Sequence, residues 1–170
     1  MSSSTAEQSS KSRIRAAVVT VSDSCSRGER KDLSGPAVLK FIDQQGFHVI
    51  AREIIPDDRI QIQNLLINLA GSADLIITTG GTGISARDVT PEATKAVCDK
   101  VIEGMAQRMR TEGMKKTPFA ALSRGICGVR GQALIVNLPG SPTAAAESLD
   151  AIANLIPHAV DLLHGKTEHS

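Results

Sequence analysis

Short apolar runs rich in β-branched residues alternate along this chain with segments of helical period, and that alternation narrows the fold more than any other feature. "IRAAVVTVSD" (14–23) is almost continuously apolar, the pattern of a strand buried on both faces that ends in a polar loop. A helix is expected from Ser34 to Gln45, where "SGP" offers a cap and an early proline and Gly46 a stop. "FHVIAREI" (47–54) reads as a second strand. "PDDRIQIQNLLINLAG" (56–71) has an acidic start, apolar residues at Ile60, Leu65, Ile67 and Leu69 and a terminal glycine, which predicts a second helix. "DLIITT" (74–79) is a third strand and runs straight into glycines. Thr90-Pro91-Glu92 reads as cap, first position and acidic first turn of a helix reaching Lys100, with another helix near 103–112. "ICGVRGQALIVNL" (126–138) holds two apolar runs about Arg130-Gly131, as a hairpin would. "SPTAAAESLDAIANLIPHAVDLLHG" (141–165) predicts one long helix, with Leu149, Ile152, Ile156, Val160 and Leu163 on one stripe and a bend at Pro157.

Such alternation predicts an α/β fold: a three-layer sandwich with a mostly parallel central sheet and helices on both faces. At 170 residues the chain fits one domain. We place it at 13–166, between a disordered N-terminal tail (1–12) and a short C-terminal tail (167–170). A net charge of +1 and the absence of Trp and Tyr disfavour nucleic-acid binding, since neither a broad basic field nor stacking platforms are present. Cys25, Cys98 and Cys127 form no CxxC pair, so neither a zinc site nor a disulfide framework is indicated, and so sparse a count suits a reducing cytoplasm. No apolar run reaches the length of a membrane span, and the opening residues lack a targeting pattern. The expected location is cytoplasmic.

Ligands on open α/β sheets sit beyond the carboxyl ends of the strands. "SDSCSRG", "IPDD", "TGGTGISARD" and "NLPGSP" all fall at that end. In "TTGGTGISARDVTPEAT" (78–94) the glycines suggest backbone N–H groups that closely approach an anion. No Lys-Ser or Lys-Thr follows, so this is not a Walker A loop. Gly81-x-Gly83-x-x-Ala86 meets a loose dinucleotide fingerprint but follows the third strand, and Arg87 to Pro91 must be crossed before a helix begins. Asp57 and Asp88 each lie between a strand and a helix, where an acid can cap the helix or, beside phosphates, hold Mg²⁺. Asp23, Asp32 and Asp58 are alternatives. Arg124 suits either a phosphate or a surface position, and Asn137-Leu-Pro-Gly either a ligand contact or a turn that ends a strand. His48, His158, His164 and His169 stand away from these loops, and no Ser-His-Asp or Cys-His arrangement is visible.

Taken together and in order, "VSDSCSRGERKDLSGP", "IPDD", "TTGGTGISARDVTPEAT" and "TPFAALSRGICGVRGQALIVNLPGSP" resemble the molybdopterin adenylyltransferases, the Mog/MoaB-type proteins and the gephyrin G domain. The resemblance covers residues 14–163 and implies Mg²⁺- and ATP-dependent adenylylation of molybdopterin with release of pyrophosphate. It also implies a homotrimer, with pairing into hexamers left open, and a molybdenum-insertion protein as a further partner. It assigns the catalytic and metal-holding acids to Asp57 and Asp88. Ser123 falls on the pterin side, with Arg124, Ser22 and Asp23 as further substrate contacts. Gly80, Gly81, Thr82 and Gly83 match the nucleotide-phosphate loop, and Asn137, Pro139, Gly140 and Ser141 a second nucleotide-facing turn.

The chemistry agrees with the residue types. A phosphate monoester has a second pKa of about 6, so at neutral pH the pterin phosphate is already a nucleophilic dianion and needs no general base. Two other readings stay open: a pterin-binding protein without catalysis, and a nucleotide pyrophosphate hydrolase of the same fold.

Overall fold

The computed structural model describes residues 14–166; the tails expected at 1–12 and 167–170, and His169, lie outside the described residues. Strands β1 (Arg15–Val21), β2 (His48–Ile55), β3 (Leu75–Thr79), β4 (Lys100–Val101), β5 (Cys127–Arg130) and β6 (Ala133–Leu138) form one sheet in the order β2-β1-β3-β6-β5-β4. The four strands β2, β1, β3 and β6 run parallel. β5 alone runs against them, antiparallel to β6 on one side and to β4 on the other, and the expected hairpin of β5 and β6 closes through Gly131, whose φ is 57°.

Both faces of the sheet are covered, because alternate residues of each central strand point to opposite sides and nearly all of them are apolar. Val18, Ile77 and Val136 pack with α2 (Ser34–Gln45), α5 (Glu103–Met114), α6 (Pro142–Ile152) and α7 (Ile156–Leu163). Val19, Ile76 and Ile135 pack with α3 (Arg59–Ala70) and α4 (Thr90–Val97). This is the three-layer sandwich that the alternation of segments predicts.

Several local expectations need correction. After β1 the chain enters a single helical turn, α1 (Asp23–Ser26), where a loop was expected, and Ser22 caps it by accepting from the Cys25 N–H at 3.2 Å. Ser34 does not cap α2: Leu33 holds the cap position without a side-chain bond, and the buried Asp32 before it accepts from the Gly35 N–H at 2.9 Å. On α3 the buried residues are Ile62, Leu66 and Leu69, whereas Ile60 and Ile67 face outward: in so uniformly apolar a helix the period alone does not pick the face. α4 stops at Val97, short of Lys100, because Cys98 is extended and leads into β4. The single bent C-terminal helix is two helices, interrupted at residues 153–155, with Pro157 in the first turn of the second, where its missing N–H costs nothing. No helix among the described residues is long and apolar enough to cross a membrane.

Candidate active site

The carboxyl ends of β1, β2, β3 and β6 lie side by side, since Val21 pairs with Ile55, Thr20 with Thr79 and Thr79 with Leu138. The segments that leave them therefore converge: Ser22-Asp23, Asp57-Asp58, the 80–88 loop and the 139–141 turn. The strand order reverses between β1 and β3, the place where such sheets open a crevice.

The glycine loop needs its glycines. Gly80 and Gly81 have φ of 100° and 68°, a region closed to most side-chain-bearing residues. A Cβ on Gly80 would run into the Val21 carbonyl, and one on Gly81 would reach 2.9 Å from Asp57 Oδ1. A Cβ on Gly83 would stand 2.8 Å from Asp88 Oδ2. The bare backbone thus lies directly against both acids.

Neither acid is a helix cap. The Asp58 carboxylate caps α3 instead, accepting from the Gln61 N–H at 2.9 Å. Val89 occupies the cap position of α4, with no side-chain bond, and Thr90 donates its hydroxyl to the Gly80 carbonyl at 3.0 Å. Asp57 is free for another task. It exchanges bonds with Asp23: the Asp23 N–H donates to Asp57 Oδ2 and the Asp57 N–H to Asp23 Oδ1, each at 3.0 Å. Asp88 accepts from the Ser85 N–H at 3.0 Å and the Ser85 hydroxyl at 2.8 Å. Burial, with the charges of Asp23 and Asp88 adding to it, pushes the Asp57 carboxyl above its ordinary range against the opposing pull of the Asp23 amide and Arg87. Asp23 shifts the other way, lowered chiefly by its hydrogen bonds from Arg87.

Two cavities open here. The smaller, about 380 Å³, is lined by Ser22, Arg30, Lys31, Asp57, Gly80 and Ser141 among others. The larger, about 470 Å³, holds Thr82, Gly83, Ser123, Asn137, Pro139 and the apolar Phe119. Gly81, Asp88 and Gly140 belong to both, so they form the wall between the two. The sequence-based division, with the glycine loop and the 137–141 turn on one ligand and Ser123 on the other, is not a spatial division: Thr82, Gly83, Asn137 and Pro139 share the cavity of Ser123.

Two of the residues assigned to ligand contact are committed inside the protein. The Asn137 amide accepts from the Ile126 N–H and donates to Thr78 and Thr94, which uses its polar atoms as a clasp between β6, β3 and α4. Arg124 donates through Nε to the Gly83 carbonyl (2.7 Å) and through Nη2 to the Asp88 carbonyl (2.9 Å), and its Nη1 is paired with Glu92. It braces the loop from behind and presents no free fork to a phosphate. Glu92, for which burial is outweighed by Arg124, is held ionised below its usual range, and its Oε2 is buried with no hydrogen-bond partner among the described residues. Ser141 caps α6, and Ser22 caps α1, while both line the smaller cavity. Sequence reasoning missed Arg30 and Lys31, whose signal was the charge run "RGERKD", and Arg87, adjacent to Asp88.

The chain is similar to known proteins over most of its length. The family described as "Probable molybdopterin binding domain" matches residues 17–158. A Helicobacter pylori protein named molybdopterin adenylyltransferase is 42% identical over 159 residues, covering 89% of each chain. The Drosophila melanogaster molybdenum cofactor synthesis protein cinnamon is 42% identical over 149 residues, 86% of this chain and 25% of that protein. The crystal structure of the molybdopterin biosynthesis enzyme MoaB from Thermus thermophilus superposes with a TM-score of 0.85 at 47% identity, over 90% of this chain and 98% of that one.

Proposed function

The chain belongs to the molybdopterin-binding domain family, and from that premise we propose that it acts in molybdenum cofactor biosynthesis as a molybdopterin adenylyltransferase. An oxygen of the pterin's terminal phosphate attacks the α-phosphorus of ATP, the bond to the bridging oxygen breaks, and pyrophosphate leaves. The observation that carries the reading is the shared wall of Gly81, Asp88 and Gly140, since two polyanions in adjoining cavities meet there. The larger cavity, with Ser123 and apolar Phe119, takes the pterin, and the smaller, with Arg30 and Lys31, takes the polyphosphate.

The donor set fits Mg²⁺ brought with ATP. Asp57 and Asp88 abut the same loop, and burial, with the charges of Asp23 and Asp88 adding to it, holds the Asp57 carboxyl above its ordinary range, a penalty that a cation beside it relieves. No group of three or more His, Cys, Asp or Glu among the described residues is placed to hold a metal, so Asp57 and Asp88 would supply two ligands, with water, and in the complex phosphate oxygens, completing the shell. Such an ion neutralises charge on the transferring phosphates. The chain's own part is to hold the two ligands in line and to present loop amides to the oxygens that gain charge. A homotrimer completes the reading, by the family resemblance.

Mixing the protein with Mg-ATP and molybdopterin tests this. Adenylylated pterin and one pyrophosphate per turnover are expected. Asp88→Asn separates a loop-fixing role from a catalytic one: asparagine can still accept from Ser85, so stability should change by no more than about 0.5 kcal/mol. Adenylyl transfer should fall by about a hundredfold or more. Pterin binding without turnover would mark a carrier, and pyrophosphate formed without pterin a hydrolase.

A further inference from the structure

Asp23, Asp57 and Asp88 bring three carboxylates to one corner of the crevice, and the basic side chain bonded there is Arg87. Its Nε donates to Asp23 Oδ2 and its Nη2 to Asp23 Oδ1, each at 3.0 Å, a two-point pairing across 64 residues of sequence. Asp23 in turn is tied to Asp57 by the two reciprocal backbone bonds, and Arg87 is the residue next to Asp88. The guanidinium therefore closes the Asp23–Asp57 pair from outside, beside Asp88. Its position is also exposed: the Arg87 side chain is 68% accessible and that of Asp23 22%. Pairs so exposed contribute little net stability and exchange readily for another partner. A strut meant only to fix the loop would gain from burial; Arg124, behind the same loop, is placed in that way and takes two main-chain carbonyls.

The geometry points to Arg87 as the resting counter-ion of the acid corner, which a divalent cation at Asp57 and Asp88 displaces from Asp23, freeing the guanidinium for the polyphosphate. The displacement follows from charge, because a cation at Asp57 and Asp88 repels the guanidinium that Asp23 holds beside them. The second half rests on the adenylyl-transfer reading above: an arginine released beside the nucleotide cavity presents a planar fork matched to phosphate oxygens. Arg87 is thus both an obstacle to the metal and an aid to the nucleotide, and the two effects have opposite signs on substitution.

Mn²⁺ binding to the full chain, followed by its magnetic resonance signal in the absence of nucleotide, reads the first half independently of any activity. Arg87→Gln should bind Mn²⁺ about two- to fivefold more tightly than the parent, and Arg87→Lys, which keeps the charge without the fork, should fall between. The same Arg87→Gln protein should bind ATP with Mg²⁺ about tenfold more weakly. In the unsubstituted protein, Mg²⁺ alone should quicken water exchange of the Arg87 Nε–H, a readout that needs no variant to fold. Unchanged or weaker Mn²⁺ binding in a normally melting Arg87→Gln protein, or an Nε–H that Mg²⁺ leaves protected, would overturn the counter-ion role. Tighter Mn²⁺ binding with unchanged ATP affinity would keep the displacement and remove the phosphate contact. Absence of adenylyl transfer in the parent protein would instead count against the function, leaving the Mn²⁺ result to stand.

Discussion

Asp57 combines partial burial with two acidic neighbours, an arrangement that favours its protonated form. The sign of the consequence can be worked out. A carboxyl whose folded pKa lies above its unfolded value contributes stability that is fully present below the unfolded pKa and is lost as pH rises through the folded one. At neutral pH the ionised Asp57 therefore weakens the free protein. Asp57→Asn keeps an acceptor for the Asp23 N–H and removes the charge, so its melting temperature at pH 7 should rise by about 1–3 °C, with the gain shrinking as pH falls through the carboxylate range. Adenylyl transfer should drop by about a hundredfold in the same variant. Scanning calorimetry at pH 7 and pH 4 checks the first part. A destabilised Asp57→Asn protein at pH 7 would mean that the acid is structural. The same raised pKa means that metal binding, and with it activity, should be lost on the acid side as Asp57 takes up its proton.

Between elements, the decisive connection is the one that Arg124 makes from the segment after the 3₁₀ turn Pro118–Leu122 to the glycine loop and α4. Its own N–H also donates to the Thr82 carbonyl at 2.8 Å, so the stretch carrying Ser123 is fastened to the loop carrying Gly83 and Asp88. Any shift of one moves the other. Arg124→Met should cost about 1–3 kcal/mol, since it leaves two carbonyls and the Glu92 carboxylate without their partner in a half-buried place. Replacing both residues, as Arg124→Met with Glu92→Met, should cost less than the sum of the single changes, because no charge is then left unpaired. Denaturant unfolding of the four proteins in a double-mutant cycle measures this. Strict additivity would show that the two side chains do not support each other.

On the scale of the whole molecule, the parallel strands deliver the segments after β1, β2, β3 and β6 to one end, while the opposite end is closed by the Arg15–Asp74 ion pair. There Asp74, 3% exposed, receives the Arg15 main-chain N–H and guanidinium and stands 3.0 Å from His164 of the chain after α7. One end is built for permanence and the other for exchange. The edge strand β2 and helix α3 leave Val49, Ile54, Ile60 and Ile67 exposed. Together with the family resemblance this supports a homotrimer. Light scattering at micromolar concentration should give three times the 17.9 kDa of the chain, or twice that value if trimers pair. A single-chain mass would withdraw the prediction.

The layer order, the parallel sheet and the crevice at its carboxyl end were readable from periodicity, because buried strands and amphipathic helices answer to interactions within a few residues of each other. Gly80, Gly81, Asp57 and Asp88 were readable as a group because loops after successive parallel strands must emerge at the same end. What local pattern could not supply was the partner of each polar atom. "PDD" offers two adjacent acids of equal capping propensity, and only the packed chain gives the cap to Asp58 and turns Asp57 toward Asp23. Arg124 and Asn137 look like ligand contacts in sequence, yet folding brings carbonyls and hydroxyls from distant segments to them first. Arg87 meets Asp23 across 64 residues, a pairing set by the convergence of β1 and β3. Hydrophobic pattern is a property of neighbours along the chain; hydrogen-bond and charge partners are properties of neighbours in space, and those exist only once the sheet has formed.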